Sequence, residues 1–222
     1  MVAELGSTSR QFEVSKALAI VTEPNSAAAE AIRALRTHIM AQHVQEGRRA
    51  LAVCAASGEV GCSYVAANLA ASMAQIGIKT LLLDANLRQP GVEEYFRPPS
   101  RSDGLAQYLA SEDDNVGEYV HNEVIPNLSI MYSGGQPPNP QELLGRDRFA
   151  QLMNLCLRDF EFTIVDTPPA NRCSDGRRAS STLGYSLVVA RRDVSRIDDL
   201  KTLIDQLSGD RAKVIGTVLN EF

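Results

Sequence analysis

Residues 56–63 read Ala-Ser-Gly-Glu-Val-Gly-Cys-Ser and lie between an apolar run, Ala50–Ala55, and a helical pattern from Ser63 to Gln75. A glycine turn that opens a helix on a hydroxyl residue can wrap phosphate oxygens in backbone N–H groups and leave the hydroxyl for a divalent cation. The phosphate-binding pattern G-x-x-x-x-G-K-[ST] is met at its second glycine, Gly61, and at its hydroxyl, Ser63. Ala56 stands at the first glycine position, and Cys62 stands where Lys belongs. On the octet alone, an ordinary strand–turn–helix connection reads as well as a phosphate site. Two carboxylates decide between them. Asp84 closes the apolar run Lys79-Thr-Leu-Leu-Leu-Asp84, and Asp166 closes Thr163-Ile-Val-Asp166 ahead of Thr167-Pro-Pro. An acid at the end of an apolar strand is the group that phosphoryl-transfer sites use to hold Mg²⁺. Either acid alone could end a strand or cap a helix; all three features in this order point to a nucleoside polyphosphate bound with Mg²⁺.

These residues need strands that end together. Apolar runs predict strands at 50–55, 79–84, 128–132, 161–166, 185–190 and 213–219, with helices near 26–40, 63–75, 103–110, 140–158, 174–183 and 195–208. In the first helix Ser26 is a suitable N-cap, and Ile32, Leu35, Ile39 and Met40 share one face. Continuous apolar strands alternating with helices predict an α/β fold, a single doubly wound and mostly parallel sheet; the glycine loop and the two strand-end acids are what give it the form of a P-loop NTPase. Such sheets bind ligands beyond the carboxyl ends of their strands, where these three features fall. Residues 1–25 are poorly periodic and are expected to form an extended or mobile N-terminal extension to a domain spanning 26–222.

Composition narrows the function. The 222 residues carry a net charge of −5, which argues against a nucleic-acid partner. Cys54, Cys62, Cys156 and Cys173 are scattered without metal-ligand or disulfide spacing, as expected of a reducing cytosol. No apolar stretch is long enough to span a membrane, and no secretory signal is expected. Cys54 is expected in the core, and His38, His43 and His121 on the surface. The Arg-rich pieces 172–178 and 191–196 could face a nucleotide, a subunit interface or solvent, and the acidic run 112–114 is expected to be a loop. Only four of the 22 basic residues are Lys, namely Lys16, Lys79, Lys201 and Lys213, and none lies in the phosphate loop.

Longer motifs carry a resemblance to a family. Ala66-Ala-Asn-Leu-Ala70 follows the loop. Leu81-Leu-Leu-Asp84-Ala-Asn86-Leu-Arg-Gln-Pro90 resembles a Walker A′ segment, L-L-x-D-x-D-x-R-x-P. Gly104-Leu-Ala-Gln-Tyr-Leu109, Ser133-Gly-Gly-Gln-Pro-Pro-Asn-Pro-Gln-Glu-Leu-Leu144 and Ile164-Val-Asp-Thr-Pro-Pro169 match three further segments. From about Ala19 to Asn220 the chain resembles the cytoplasmic domain of the bacterial tyrosine kinases (BY-kinases), within the wider class of MinD-like ATPases. The resemblance implies ATP or ADP bound by the loop Gly58, Glu59, Val60, Gly61, Cys62, Ser63 and Tyr64, with Asn220 near adenine. It implies Mg²⁺ held by Ser63 and Asp166, with Asp84 helping to activate a tyrosine hydroxyl and contributing to the metal site. It implies a membrane chain-length or co-polymerase protein as partner, a place at the cytoplasmic side of the inner membrane, and a role in exopolysaccharide or capsule polymerisation or export. Glu30, Arg33 and Arg36 match the family's E-x-x-R-x-x-R assembly motif, which implies a homo-oligomer.

The chain departs from the family at three places. Cys62 replaces the phosphate-facing Lys, and loss of one such charge costs on the order of 10²–10³ in rate. Asn86 replaces the second acid of the A′ segment. No tyrosine cluster follows the last strand before Phe222. Arg88 or an Arg from a neighbouring subunit could restore the charge, whereas Ser57 occupies the place where MinD-like ATPases keep an additional Lys. The readings left by the sequence are a tyrosine kinase with a degenerate Walker A loop, a non-catalytic pseudokinase scaffold, and a MinD-like regulatory ATPase.

Overall fold

The computed structural model describes residues 12–221 apart from Asp114, so part of the acidic run and residues 1–11 of the expected extension lie outside the described residues. A seven-stranded sheet runs in the order β5-β6-β3-β7-β2-β8-β9. Its strands are β2 (Ala50–Ala55), β3 (Thr80–Asp84), β5 (His121–Ile125), β6 (Leu128–Met131), β7 (Phe162–Asp166), β8 (Tyr185–Arg191) and β9 (Lys213–Asn220). All neighbours pair in parallel except β5, which is antiparallel to β6 at one edge. The α/β, mostly parallel reading is therefore correct.

Alternation along each strand explains why the runs are apolar throughout. Leu51, Val53, Leu82, Ile130 and Ile164 face one core, shared with helices α1 (Ala19–Thr22), α2 (Ala27–Ile39) and α3 (Cys62–Gln75). Leu81, Leu83, Met131 and Val165 face the other, with α4 (Leu105–Ala110), α5 (Pro140–Gly145), α6 (Asp147–Asp159) and α7 (Asp175–Leu183). A strand buried on both faces has no polar side to expose. α8 (Ile197–Gly209) closes the β8–β9 end through Leu203 and Leu207.

Several expectations are corrected. Residues 12–25 are not simply extended. β1 (Glu13–Val14) pairs with β4 (Phe96–Arg97), and Leu18 and Ile20 are fully buried at α1. The buried Asn68 of α3 pins this segment, accepting the Ile20 N–H at 3.1 Å. The helix expected over 140–158 is two helices, because Arg146 takes an extended conformation between them. The edge strand β5 escapes a search for apolar runs because His-Asn-Glu-Val-Ile contains none; it turns into β6 through Asn127, which adopts φ 65°.

His43 is buried rather than on the surface. A π-helical turn over Met40–Val44 inserts a residue into the α2 periodicity and swings the ring inward. Its Nε2 lies 3.0 Å from the Ala50 carbonyl oxygen, and the ring stands edge-on to Phe162 and Tyr185. Burial holds its pKa below the ordinary histidine value. His121 also has partners, packing edge-on against Phe12 and Tyr132. Cys54 is in the core as expected.

Candidate functional site

The three chemical features come together because β3, β7 and β2 are adjacent. Asp84 and Asp166 are direct register partners at the ends of β3 and β7, and the Ala85 N–H donates to the Asp166 carbonyl at 2.9 Å. The loop after β2 lies beside them. Gly61 takes φ 90° as it enters α3, a conformation that glycine adopts without steric cost. Glu59 also has a positive φ, 61°, at a cost of roughly 1–2 kcal/mol for a side-chain-bearing residue.

The loop is held from behind. Arg191 Nη1 donates to the Glu59 carbonyl at 3.0 Å, and Asn220 Nδ2 donates to the Val60 carbonyl at 3.0 Å. In a trans peptide the next N–H points opposite the carbonyl, so these two anchors turn the Val60 and Gly61 N–H groups away from Arg191 and Asn220. Among the described residues, no hydrogen bond within the protein uses the N–H groups of Gly58 to Ser63. Such a run of unpaired donors at the start of a helix is an anion cradle. Gly58 to Tyr64 all border a cleft of about 200 Å³ in front of the loop, completed by Gln89, Gly91, Tyr95 and Arg172. This is smaller than the roughly 300–1,000 Å³ of a site for a whole drug-sized ligand, and it suits phosphates rather than a complete nucleotide.

Beneath the cleft, Ser63 Oγ donates to Asp166 Oδ2 at 2.5 Å. Asp166 is fully buried, and its Oδ1 has no hydrogen-bond partner among the described residues. An orphaned buried carboxylate oxygen beside a hydroxyl is an oxygen donor set of the kind that Mg²⁺ takes. The residues therefore fit the metal that the sequence motifs imply. Burial, and secondarily the neighbouring Asp84, push the Asp166 pKa well above the ordinary carboxylate value.

Asp84 is used differently. Its Oδ1 accepts the Asn86 N–H at 3.0 Å, while Oδ2 accepts those of Gly91 at 3.0 Å and Val92 at 3.1 Å. Both oxygens thus hold the A′ turn. Burial raises its pKa to about 6 against the opposing pull of these bonds. The turn in its place carries Gly91 over the Ser63 hydroxyl: a Cβ on Gly91 would collide with Ser63 Oγ and lie 3.9 Å from Asp166 Oδ2. The φ of Gly91, −129°, is open to alanine, so Gly91→Ala is expected to fold. It should displace the Ser63 hydroxyl and weaken Mg²⁺-dependent nucleotide binding about tenfold, the scale of one strong hydrogen bond. Titration calorimetry with and without Mg²⁺ checks this; unchanged affinity would show that Ser63 is not a metal ligand.

The other sequence-derived candidates are distributed around this centre. Cys62 opens α3 at the loop, and burial followed by Asp166 raises its pKa, so it is a neutral thiol. Asn220 lies behind the loop and borders a separate apolar groove with Ile32 and Leu35. Arg88 is unavailable to the cleft, because Asp175 grips its guanidinium at 2.7 and 3.4 Å. Glu30 and Arg33 pair with each other on the exposed side of α2. Arg36 instead turns toward α3 and donates to the Ser72 carbonyl at 3.0 Å and hydroxyl at 3.1 Å. One residue at the cleft is only loosely indicated by the sequence. Arg172, part of an unassigned basic stretch, reaches Gln89 Oε1 across the opening at 3.3 Å.

No family model matches the sequence. Known proteins do. The solved kinase domain of Escherichia coli tyrosine kinase ETK superposes with a TM-score of 0.84 and 32% identity, over 92% of this chain and 79% of that domain. In the curated E. coli K12 protein, tyrosine-protein kinase etk, the match covers 90% of this chain but 27% of the relative, so the chain spans about a quarter of its length. The chimerical protein CapA2B2 superposes with a TM-score of 0.85 at 29% identity, covering 95% of this chain and 92% of the chimera. The cell division ATPase MinD of Pyrococcus furiosus shares the fold at a TM-score of 0.64 and 20% identity, over 78% of this chain and 71% of that chain. A likeness in sequence and fold that takes in most of a solved kinase domain makes this chain a member of the bacterial tyrosine kinase (BY-kinase) family.

Proposed function

We propose that the chain is a Mg²⁺–ATP-binding kinase domain that transfers phosphate to tyrosine within a machinery for exopolysaccharide or capsule export. The observation that carries this reading is the buried Asp166 Oδ1, left without a partner beside the Ser63 hydroxyl under a row of unpaired loop N–H groups. When bound, Mg²⁺–ATP would supply the γ-phosphoryl group and the metal charge that offsets its negative oxygens. Ser63 and Asp166 hold the metal, and the Gly58–Ser63 N–H groups bind phosphate oxygens. Asp84 has the raised pKa of a base, while its hydrogen bonds make it the organiser of the A′ turn. Exposed Glu30 and half-buried Arg33 would meet a neighbouring copy, with Arg36 fixing their helix to α3. The partner would be a membrane co-polymerase that keeps the domain at the cytoplasmic face; among the described residues no helix is long and apolar enough to cross a membrane.

A second reading has its own support. The neutral Cys62 and the engagement of Arg88 by Asp175 favour a scaffold that binds nucleotide without transferring phosphate. Calorimetry with Mg²⁺–ATP, followed by radiolabel transfer to a tyrosine-bearing tail of the partner, separates the readings. Mg²⁺-dependent binding that Ser63→Ala removes, together with transfer, is the expected result. Binding without transfer selects the scaffold, and no binding at millimolar nucleotide would overturn both.

A further inference from the structure

We infer that Arg172 is the cation that meets the nucleotide's phosphates, supplying from outside the loop the charge that Cys62 cannot. This rests on the nucleotide-binding reading above and adds a binding residue that the family motifs do not contain.

A polyphosphate entering the cleft brings several negative charges into a partly desolvated space, where unpaired charge is costly. The loop N–H donors carry no formal charge, and the Cys62 side chain cannot be positive as either thiol or thiolate. Arg88 is committed to Asp175, and Arg191 is committed to the back of the loop. Among the described residues bordering the cleft, Arg172 is the one cation.

Its position is fixed by main-chain contacts. After β7 the chain passes across the end of β2, where the Ala170 N–H donates to Ala55 at 2.8 Å and the Asn171 N–H to Ala56 at 2.9 Å. A third bond, from the Arg172 N–H to Pro169 at 3.2 Å, closes the turn. The segment carrying Arg172 is thereby stitched to the first residues of the phosphate loop. The side chain then lies over Gly58, where an added Cβ would sit 3.5 Å from Nη2. Its Nη1 reaches Gln89 on the A′ side. The guanidinium therefore bridges the cleft between the two loops. Gln89 is neutral, and no ion pair engages Arg172 among the described residues; the carboxylates of Glu59 and Glu94 border the same cleft, but neither is within ion-pair distance of the guanidinium. A planar fork with several donors can bind phosphate through two oxygens at once, which Lys cannot. The orphaned Asp166 Oδ1 at the cleft floor independently marks the same space as a ligand site.

The test is calorimetry on the native chain, Arg172→Ala, Cys62→Lys and the double variant, titrated with Mg²⁺–ATP and, separately, with Mg²⁺–tripolyphosphate. Arg172 is exposed, so the single variant should keep the native melting temperature. Arg172→Ala is expected to weaken both ligands at least about tenfold, in line with loss of a charge-assisted phosphate contact. Adding Cys62→Lys should restore most of that loss, because the introduced ammonium would return a positive charge to the same phosphates. Native binding with Arg172→Ala within about twofold of it would overturn the inference and leave the nucleotide reading standing. A loss confined to ATP would place Arg172 on the nucleoside and also overturn it. A loss that Cys62→Lys does not repair would mean that Arg172 acts by tethering Gln89 and not by charge. No binding by the native chain would instead defeat the nucleotide reading itself.

Discussion

Asp166→Asn is expected to weaken Mg²⁺-dependent ATP binding more than tenfold, to lower any phosphoryl transfer by about 10²–10³, and to raise the melting temperature of the ligand-free chain. The two directions have one cause. Asp84 and Asp166 end neighbouring strands in register, both fully buried. Asp84 spends its oxygens on three N–H groups, whereas Asp166 has one oxygen accepting from Ser63 and one with no partner. Without metal, the second carboxylate is a buried acid beside another acid, an arrangement that costs stability. Asn keeps the shape and an oxygen for the Ser63 hydroxyl while removing one negative charge. The same change removes the anionic oxygen that Mg²⁺ requires. Calorimetry in Mg²⁺ and in chelator, with thermal melts of the ligand-free protein, reads both effects. If Asp166→Asn bound Mg²⁺–ATP as the native chain does, Asp166 would not be the metal ligand. If it melted lower, the carboxylate would be a structural asset and not a strained functional group.

The order in which the chain discloses its features follows the range of the interactions that make them. Ser63, Asp84 and Asp166 are legible because each sits at a strand end or helix start, which short-range patterns mark. Their convergence depends on the order β3-β7-β2, which no local pattern states. Arg172 is the least legible. It is placed by backbone bonds from Ala170 and Asn171 to a loop far away in the sequence, while its own neighbourhood reads only as basic. Arg88 misleads for the converse reason: its nearness to the A′ acid in sequence suggests the cleft, but Asp175 at the start of α7 captures it. His43 is misplaced by periodicity because one inserted residue in the π-turn rotates the helix face, a change to which a fixed period is blind. The polar edge strand β5 carries no apolar signal and is recoverable only from its turn.

The family motifs at Gly104 and at Ser133–Gly134 acquire a physical reason from packing, and this yields the largest expected loss of stability. The start of α4 lies against the end of β6. The Leu105 N–H donates to the Tyr132 carbonyl and the Ala106 N–H to that of Ser133, both at 2.8 Å. Gln107 clasps the junction, accepting the Gly104 N–H at 3.0 Å and donating to the Gly134 carbonyl at 2.7 Å. A Cβ on Gly104 would land on the Tyr132 carbonyl oxygen and lie 2.8 Å from the Gly134 nitrogen. These are backbone atoms and cannot rotate away. Gly104→Ala must therefore part α4 from β6, breaking hydrogen bonds and opening the core around Leu105, Tyr108 and Leu109, all essentially buried. The expected cost is about 3 kcal/mol or more, in the range reached when a buried contact is forced apart. Urea unfolding followed by circular dichroism would measure it. A loss below about 0.5 kcal/mol, the level of an ordinary surface change, would show that the junction yields and that the glycine is kept for another reason. Gly134→Ala probes the facing side. Its φ of 76° disfavours alanine, and the new Cβ would strike the Gln107 side chain that joins the two segments. The two motifs then act as one joint, and the double variant should lose less than the sum of the singles, since either change alone already opens it.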